Sequence, residues 1–169
     1  IIVGNGALAI YSSAGGTRTW EDIKNEYNEV MAAAEGITCI HCCSNFDWSL
    51  LMGTNADIIN FDAYQYGDTI SLYADDLRRF LERGGMIAWG IVPTAGAGNI
   101  EDENPSSLVE RLERCIQLVV DRGVDKKTLL ESSWITPTCE PSTLSIELAE
   151  RVCDFTREVS QRMREKYFG

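Results

Sequence analysis

The chain has 169 residues, enough for one ordinary domain with its own core and too few for a second of similar size. Its 44% hydrophobic and 24% charged residues match soluble globular usage and exclude a disordered or collagen-like chain. With 15 Lys+Arg against 26 Asp+Glu, the net charge of -11 repels phosphate backbones and anionic membranes, so neither nucleic acid nor membrane is expected as a partner.

No stretch approaches the roughly 18 to 20 apolar residues of a membrane-spanning helix, and Ile1 to Ile10 lacks the basic flank of a signal peptide. A cytoplasmic protein is expected. The chain opens without a methionine, directly on the strand-like run Ile1-Ile2-Val3, which suggests that something precedes it. Of the six cysteines, Cys39, Cys42 and Cys43 crowd one segment, while Cys115 and Cys153 fall on helix-like stretches and read as helix core. That distribution is not a secreted disulfide framework.

In chain order, Ile1 to Val3 reads as a strand. Thr19-Trp20-Glu21-Asp22 then supplies a capping side chain with acids in the first turn, and Trp20, Ile23, Tyr27, Val30 and Met31 follow at helical spacing up to Gly36. Ile37 to Ile40 is a short β-branched run, Asp47 to Met52 a brief helix and Ala56 to Phe61 the next strand. Leu72, Leu77, Phe80 and Leu81 lie on one helical face that ends at Gly84-Gly85. Met86 to Val92 is a strand, and Pro105-Ser106 opens a helix carrying Leu108, Leu112, Cys115, Ile116 and Val119 that stops at Gly123. Trp134 to Thr136 is the last strand. Ser145 caps a long helix with the stripe Leu148, Val152, Phe155, Val159 and Met163.

This alternation of strands and helices over a single domain, residues 1–169, predicts an α/β fold with a parallel sheet. Two architectures fit: an open doubly wound sheet, or part of a (β/α)8 barrel. A complete barrel takes about 250 residues, so this chain would supply about five of the eight units. Both architectures place chemistry at the carboxyl ends of the strands.

Three strand ends carry reactive side chains: His41-Cys42-Cys43, Asp62, and Cys139 after Ile135-Thr136-Pro137-Thr138. His41 is the only histidine. Residues two apart on a strand share a face, so His41 and Cys43 project together and Cys42 points away. A carboxylate and a second thiolate from other strand ends would complete a tetrahedral N, O, S, S shell suited to zinc, whereas an iron–sulfur cluster would need four cysteines. The competing reading is that the cysteines are core residues and Asp62 an ordinary loop acid. The glycine-rich Ala95-Gly96-Ala97-Gly98 follows a strand, yet the acidic, proline-bearing segment from Glu101 to Pro105 separates it from the next helix, which argues against a phosphate cradle.

His41-Cys42-Cys43-Ser44-Asn45-Phe46, Ala56-Asp57-Ile58-Ile59-Asn60-Phe61-Asp62, Trp89-Gly90-Ile91-Val92-Pro93, and Thr136-Pro137-Thr138-Cys139 with Thr143-Leu144 together resemble the C-terminal catalytic barrel of cobalamin-independent methionine synthase. The wider group includes uroporphyrinogen decarboxylase and the zinc-dependent corrinoid methyltransferases. The resemblance spans roughly Ile1 to Tyr167 and implies a (β/α)8 TIM-barrel type of fold, of which this chain covers the last five units. Carried across, the family's zinc ligands fall on His41, Cys43, Asp62 and Cys139, with Asp62 where the family normally has glutamate. The family's Asp-Glu-Pro, whose aspartate helps bind the homocysteine amino group, is matched here by Gly4-Asn5-Gly6. Its proton-donating histidine after the penultimate strand has no counterpart.

The implied activity is zinc-dependent methyl transfer to a homocysteine-like thiol from a folate or corrinoid donor, giving methionine. Ser44, Asn45 and Trp89 are candidate pocket residues. The rivals are a metal-free decarboxylase-like enzyme and a catalytically incomplete partial barrel that acts as a binding module. Five barrel units leave two unpaired strand edges, so self-association or a complementary chain is expected to cover them.

Overall fold

The computed structural model describes residues 2–4, 19–94, 100–139, 141–142 and 144–169. Ile1, Asn5, Gly6, the glycine-rich segment 95–98 and Thr143 lie outside the described residues. Among the described residues the chain folds as an α/β protein on five strands: β1 (Ile2–Gly4), β2 (Cys39–Cys42), β3 (Ile58–Asp62), β4 (Met86–Val92) and β5 (Ser133–Pro137). All four pairings are parallel, and the spatial order β1-β2-β3-β4-β5 repeats the order in the chain.

That order has a geometric consequence. Crossovers between neighbouring parallel strands share one hand, so a chain that always steps to the next position lays its helices on a single face of the sheet. Burial follows this rule. Ile40 and Cys42 of β2, Ile59 and Phe61 of β3, and Ile87, Trp89 and Ile91 of β4 join helical Ile23, Leu77, Leu112 and Val159 in one buried core. The alternate residues Cys39, His41, Asn60 and Thr136 are half-buried and stand outside that core, and Trp134 is exposed. A doubly wound sheet reverses its strand order at a switch point; these five strands do not.

The helices start where capping chemistry predicts. Thr19 and Asp22 form a reciprocal capping box at the head of α1 (Trp20–Ala32), and Asp47 caps α2 (Trp48–Met52). After α3 (Ala63–Tyr66), a 3₁₀ turn at Thr69–Tyr73 leads into α4 (Ala74–Glu82). Asn104, followed by Pro105, caps α5 (Pro105–Val120), and α6 (Lys126–Glu131) precedes β5. Ser145 caps α7 (Ile146–Phe168). Gly84 and Gly123 follow α4 and α5 at φ of 90° and 89°, a backbone region that disfavours side chains. Among the described residues no helix is long and apolar enough to cross a membrane.

Two expectations need correction. Leu72 does not share the buried face of Leu77, Phe80 and Leu81 but is 66% exposed, because the tighter 3₁₀ turn puts it out of phase with the α-helix that follows. Cys153 is exposed one position beyond the buried Val152, off the stripe, whereas Cys115 is buried as expected.

The helix-side core centres on Trp48, Phe61 and Trp89, with ring centroids 5.0 and 5.5 Å apart in tilted contact. Burying rings of this size contributes roughly 4–6 kcal/mol of transfer free energy each. Both indoles also find acceptors: Trp48 Nε1 donates to Thr69 Oγ1 at 2.9 Å and Trp89 Nε1 to Ser133 Oγ at 2.9 Å.

Gly90 controls how closely the end of β5 approaches. A Cβ there would stand 2.4 Å from the Phe61 carbonyl oxygen and 3.0 Å from both the Pro137 carbonyl oxygen and Thr138 Cα. The β4–β5 register is also irregular at this point, with Gly90 opposite Thr136 but Val92 opposite Pro137. Gly90→Ala is therefore expected to destabilise the protein by about 1–3 kcal/mol through overpacking. Urea unfolding tests this, and an unchanged midpoint would contradict the close approach.

Candidate metal centre

The carboxyl ends of β2 and β5 bring three soft donors together. His41 lies on β2, and Cys43 follows one residue past the strand end on the same side of the pleat. Cys139 sits two residues past the end of β5. One ligand atom from each of His41, Cys43 and Cys139 lies within 4.8 Å of the other two. In a tetrahedral zinc site with the usual bond lengths, donors stand roughly 3.5–3.8 Å apart, so small side-chain rotations close the set.

Neighbouring strands are about 4.8 Å apart, which puts β2 and β5 roughly 14 Å from each other across a flat sheet. For donors on these two strand ends to meet, the sheet must curl toward the face opposite the helices. Thr138 secures the turn that carries Cys139. Its N–H donates to the Val92 carbonyl at 2.9 Å, its Oγ1 accepts the Thr94 N–H at 3.1 Å, and the two buried hydroxyls are 3.1 Å apart.

The Cys43 thiol is pushed up in pKa, first by partial burial and then by the Cys139 thiol beside it, to which it is hydrogen-bonded. Two thiolates so close repel each other, and a cation between them removes the repulsion. His41 is half-buried. Its Nδ1 is 2.5 Å from Asn60 Oδ1, and the Asn60 amide nitrogen donates to the Ala88 carbonyl at 3.0 Å and to Thr136 Oγ1 at 2.8 Å. His41 Nε2 is buried without a hydrogen-bond partner. An orphaned buried nitrogen costs about 1–3 kcal/mol, and here it accompanies two thiols. One nitrogen and two sulfurs so placed could hold a metal ion.

Asp62 ends β3 with 3% exposure but is not part of this cluster. It caps α3: Oδ1 accepts the Gln65 N–H at 2.9 Å and Oδ2 accepts from Gln65 Nε2 at 2.7 Å. Burial holds its pKa above the ordinary carboxylate value, only partly offset by the Gln65 hydrogen bonds and nearby His41. A side chain one methylene shorter than glutamate thus stays over its own helix terminus.

The candidate pocket residues separate. The Ser44 carbonyl accepts from Cys42 Sγ at 3.4 Å. Asn45 is exposed on a cleft of about 420 Å³ shared with Phe46, Leu50, Leu72 and Tyr73. Trp89 is fully buried on the opposite, helix-side face, paired in register with Phe61, so it anchors the sheet and does not line the site. Asn60 and Thr136, which the sequence does not single out, contribute to the site. The available signal was a polar residue inside an otherwise apolar strand, and asparagine is depleted in strands.

Comparison with protein-family models and with curated proteins finds no match for this sequence.

Thiol environments differ enough to be read chemically. Cys42 is fully buried, and burial pushes the buried Cys115 thiol up to about 11. Native-state alkylation of metal-free protein at neutral pH is expected to modify exposed Cys43 and Cys153 well before Cys42 and Cys115. Peptide mass mapping checks this, and equal labelling of all four would contradict the placement.

Proposed function

We propose that this chain is a zinc-dependent methyltransferase module of (β/α)8 type that activates a homocysteine-like thiol for methylation. The observation that carries the proposal is the meeting of His41, Cys43 and Cys139 from strand ends far apart in sequence, with His41 Nε2 lacking any protein partner. The sequential strand order, the one-sided helices and the inward curl support the barrel architecture, of which five strands form an open segment with β1 and β5 at its edges. A second copy or a complementary chain is proposed to cover those edges.

In this reading His41, Cys43 and Cys139 hold zinc, and Asp62 stands close by as the acid of the third strand end. Zinc supplies a Lewis acid that lowers the pKa of a coordinated thiol, so that thiolate is available at neutral pH. In the transfer the substrate sulfur gains a bond to the methyl carbon, the carbon's bond to the folate or corrinoid donor breaks, and the thiol proton goes to solvent. Ser44 and Asn45 follow Cys43 on the same loop and are proposed as substrate-binding residues on that ground alone. A chemistry built on reduced cysteines supports a cytoplasmic location for the protein.

Elemental analysis of protein purified without added metal tests the reading. About one zinc per chain is expected, with affinity at least ~10-fold weaker in Cys139→Ser. Zinc-loaded protein is then expected to methylate homocysteine from methylcobalamin or a methylated folate, and chelation to abolish turnover. A folded protein without zinc, or turnover that survives chelation, would overturn the proposal.

A further inference from the structure

We infer that Asn60 is a positioning residue that fixes the tautomer and ring orientation of His41, holding the proton on Nδ1 and reserving Nε2 for the metal. The inference rests on the zinc reading only for the identity of what Nε2 binds.

The orientation of the Asn60 amide follows from its surroundings. Its nitrogen stands 3.0 Å from the Ala88 carbonyl oxygen, an atom that only accepts, and 2.8 Å from Thr136 Oγ1. Turning the amide over would set oxygen against oxygen at Ala88, so Oδ1 faces His41. An amide oxygen cannot donate. His41 Nδ1, 2.5 Å away, must therefore carry the hydrogen, and a neutral imidazole with Nδ1–H has its lone pair on Nε2. Nε2 is the buried atom without a protein partner.

The sheet makes this arrangement possible. His41, Asn60 and Ala88 are direct register partners on three adjacent strands, so all three lie on the face opposite the helices. Thr136 lies one strand further, opposite Gly90. The small side of β4, Ala88 and Gly90, lets the amide reach across to Thr136. With both ends of its carboxamide engaged, Asn60 cannot rotate, and the imidazole is held with it. A neutral amide does this without adding negative charge beside two thiols.

His41 is the only histidine, so one imidazole appears in a long-range ¹H–¹⁵N correlation spectrum of labelled, metal-free protein. At a pH well above the ordinary imidazole range, wild type is expected to show the Nδ1–H tautomer. Asn60→Leu is expected to lose that preference and to bind zinc about 10–100-fold more weakly in competition with a chromophoric chelator. Asn60→Asp, which retains an acceptor for Nδ1–H but sets a carboxylate oxygen against the Ala88 carbonyl, is expected to keep the Nδ1–H tautomer, and Thr136→Val to weaken tautomer preference and zinc affinity by less than Asn60→Leu does. Wild type with the proton on Nε2, or Asn60→Leu with an unchanged tautomer, would overturn the inference. Nδ1–H in wild type without any zinc uptake would uphold it while refuting the metal reading.

Discussion

The pleat of a parallel sheet sends successive side chains to opposite faces, and a sheet whose helices all lie on one side gives those faces different work. On β2 and β3, Ile40, Cys42, Ile59 and Phe61 hold the helices, while His41 and Asn60 meet on the other face. The two roles interleave at single-residue spacing. A one-residue slip in register would exchange them, burying an imidazole among aromatic rings and exposing Phe61. The Trp48, Phe61 and Trp89 cluster opposes any such slip, so core packing on one face specifies the alignment of donors on the other.

Bringing donors from β2 and β5 together also requires room between them. Strand β4 supplies it by carrying Ala88 and Gly90 on the concave face while keeping Trp89 and Ile91 toward the helices. The Asn60 amide crosses above Ala88 to reach Thr136, and the end of β5 closes on Gly90. Larger residues on this face of β4 would separate the same groups that the irregular β4–β5 register draws in. Bulk on the helix side and near-absence of side chains on the other are two parts of one arrangement.

Much of this was readable in the residue order. Alternation placed the strands within one or two residues of their ends, the caps at Thr19 and Ser145 are used as expected, and the spacing of His41 and Cys43 put both on one side of β2. Cys139 was legible from its place after an apolar run. Asn60 was not, because its role depends on which residue stands opposite on β2, a matter of register. Trp89 is not legible as a core residue for the same reason: its place in β4 does not say which face its side chain takes until the register with Phe61 is known. Leu72 followed the heptad-like spacing but not the 3₁₀ turn that interrupts it, and the acid at position 62 cannot be separated from a helix cap until α3 is seen to begin at the next residue.

The three donors are not held equally. Asn60 restrains the His41 ring, and Thr138, clamped to Val92 and Thr94, restrains the turn bearing Cys139. Cys43 lies on the short loop that runs from the end of β2 to the Asp47 cap of α2, and it is the exposed member of the set, while His41 and Cys139 are half-buried. Burial therefore falls on His41 and Cys139. Solvent reaches the cluster on the Cys43 side. A fourth ligand arriving from solution would meet the exposed Cys43 first, with the half-buried His41 and Cys139 behind it.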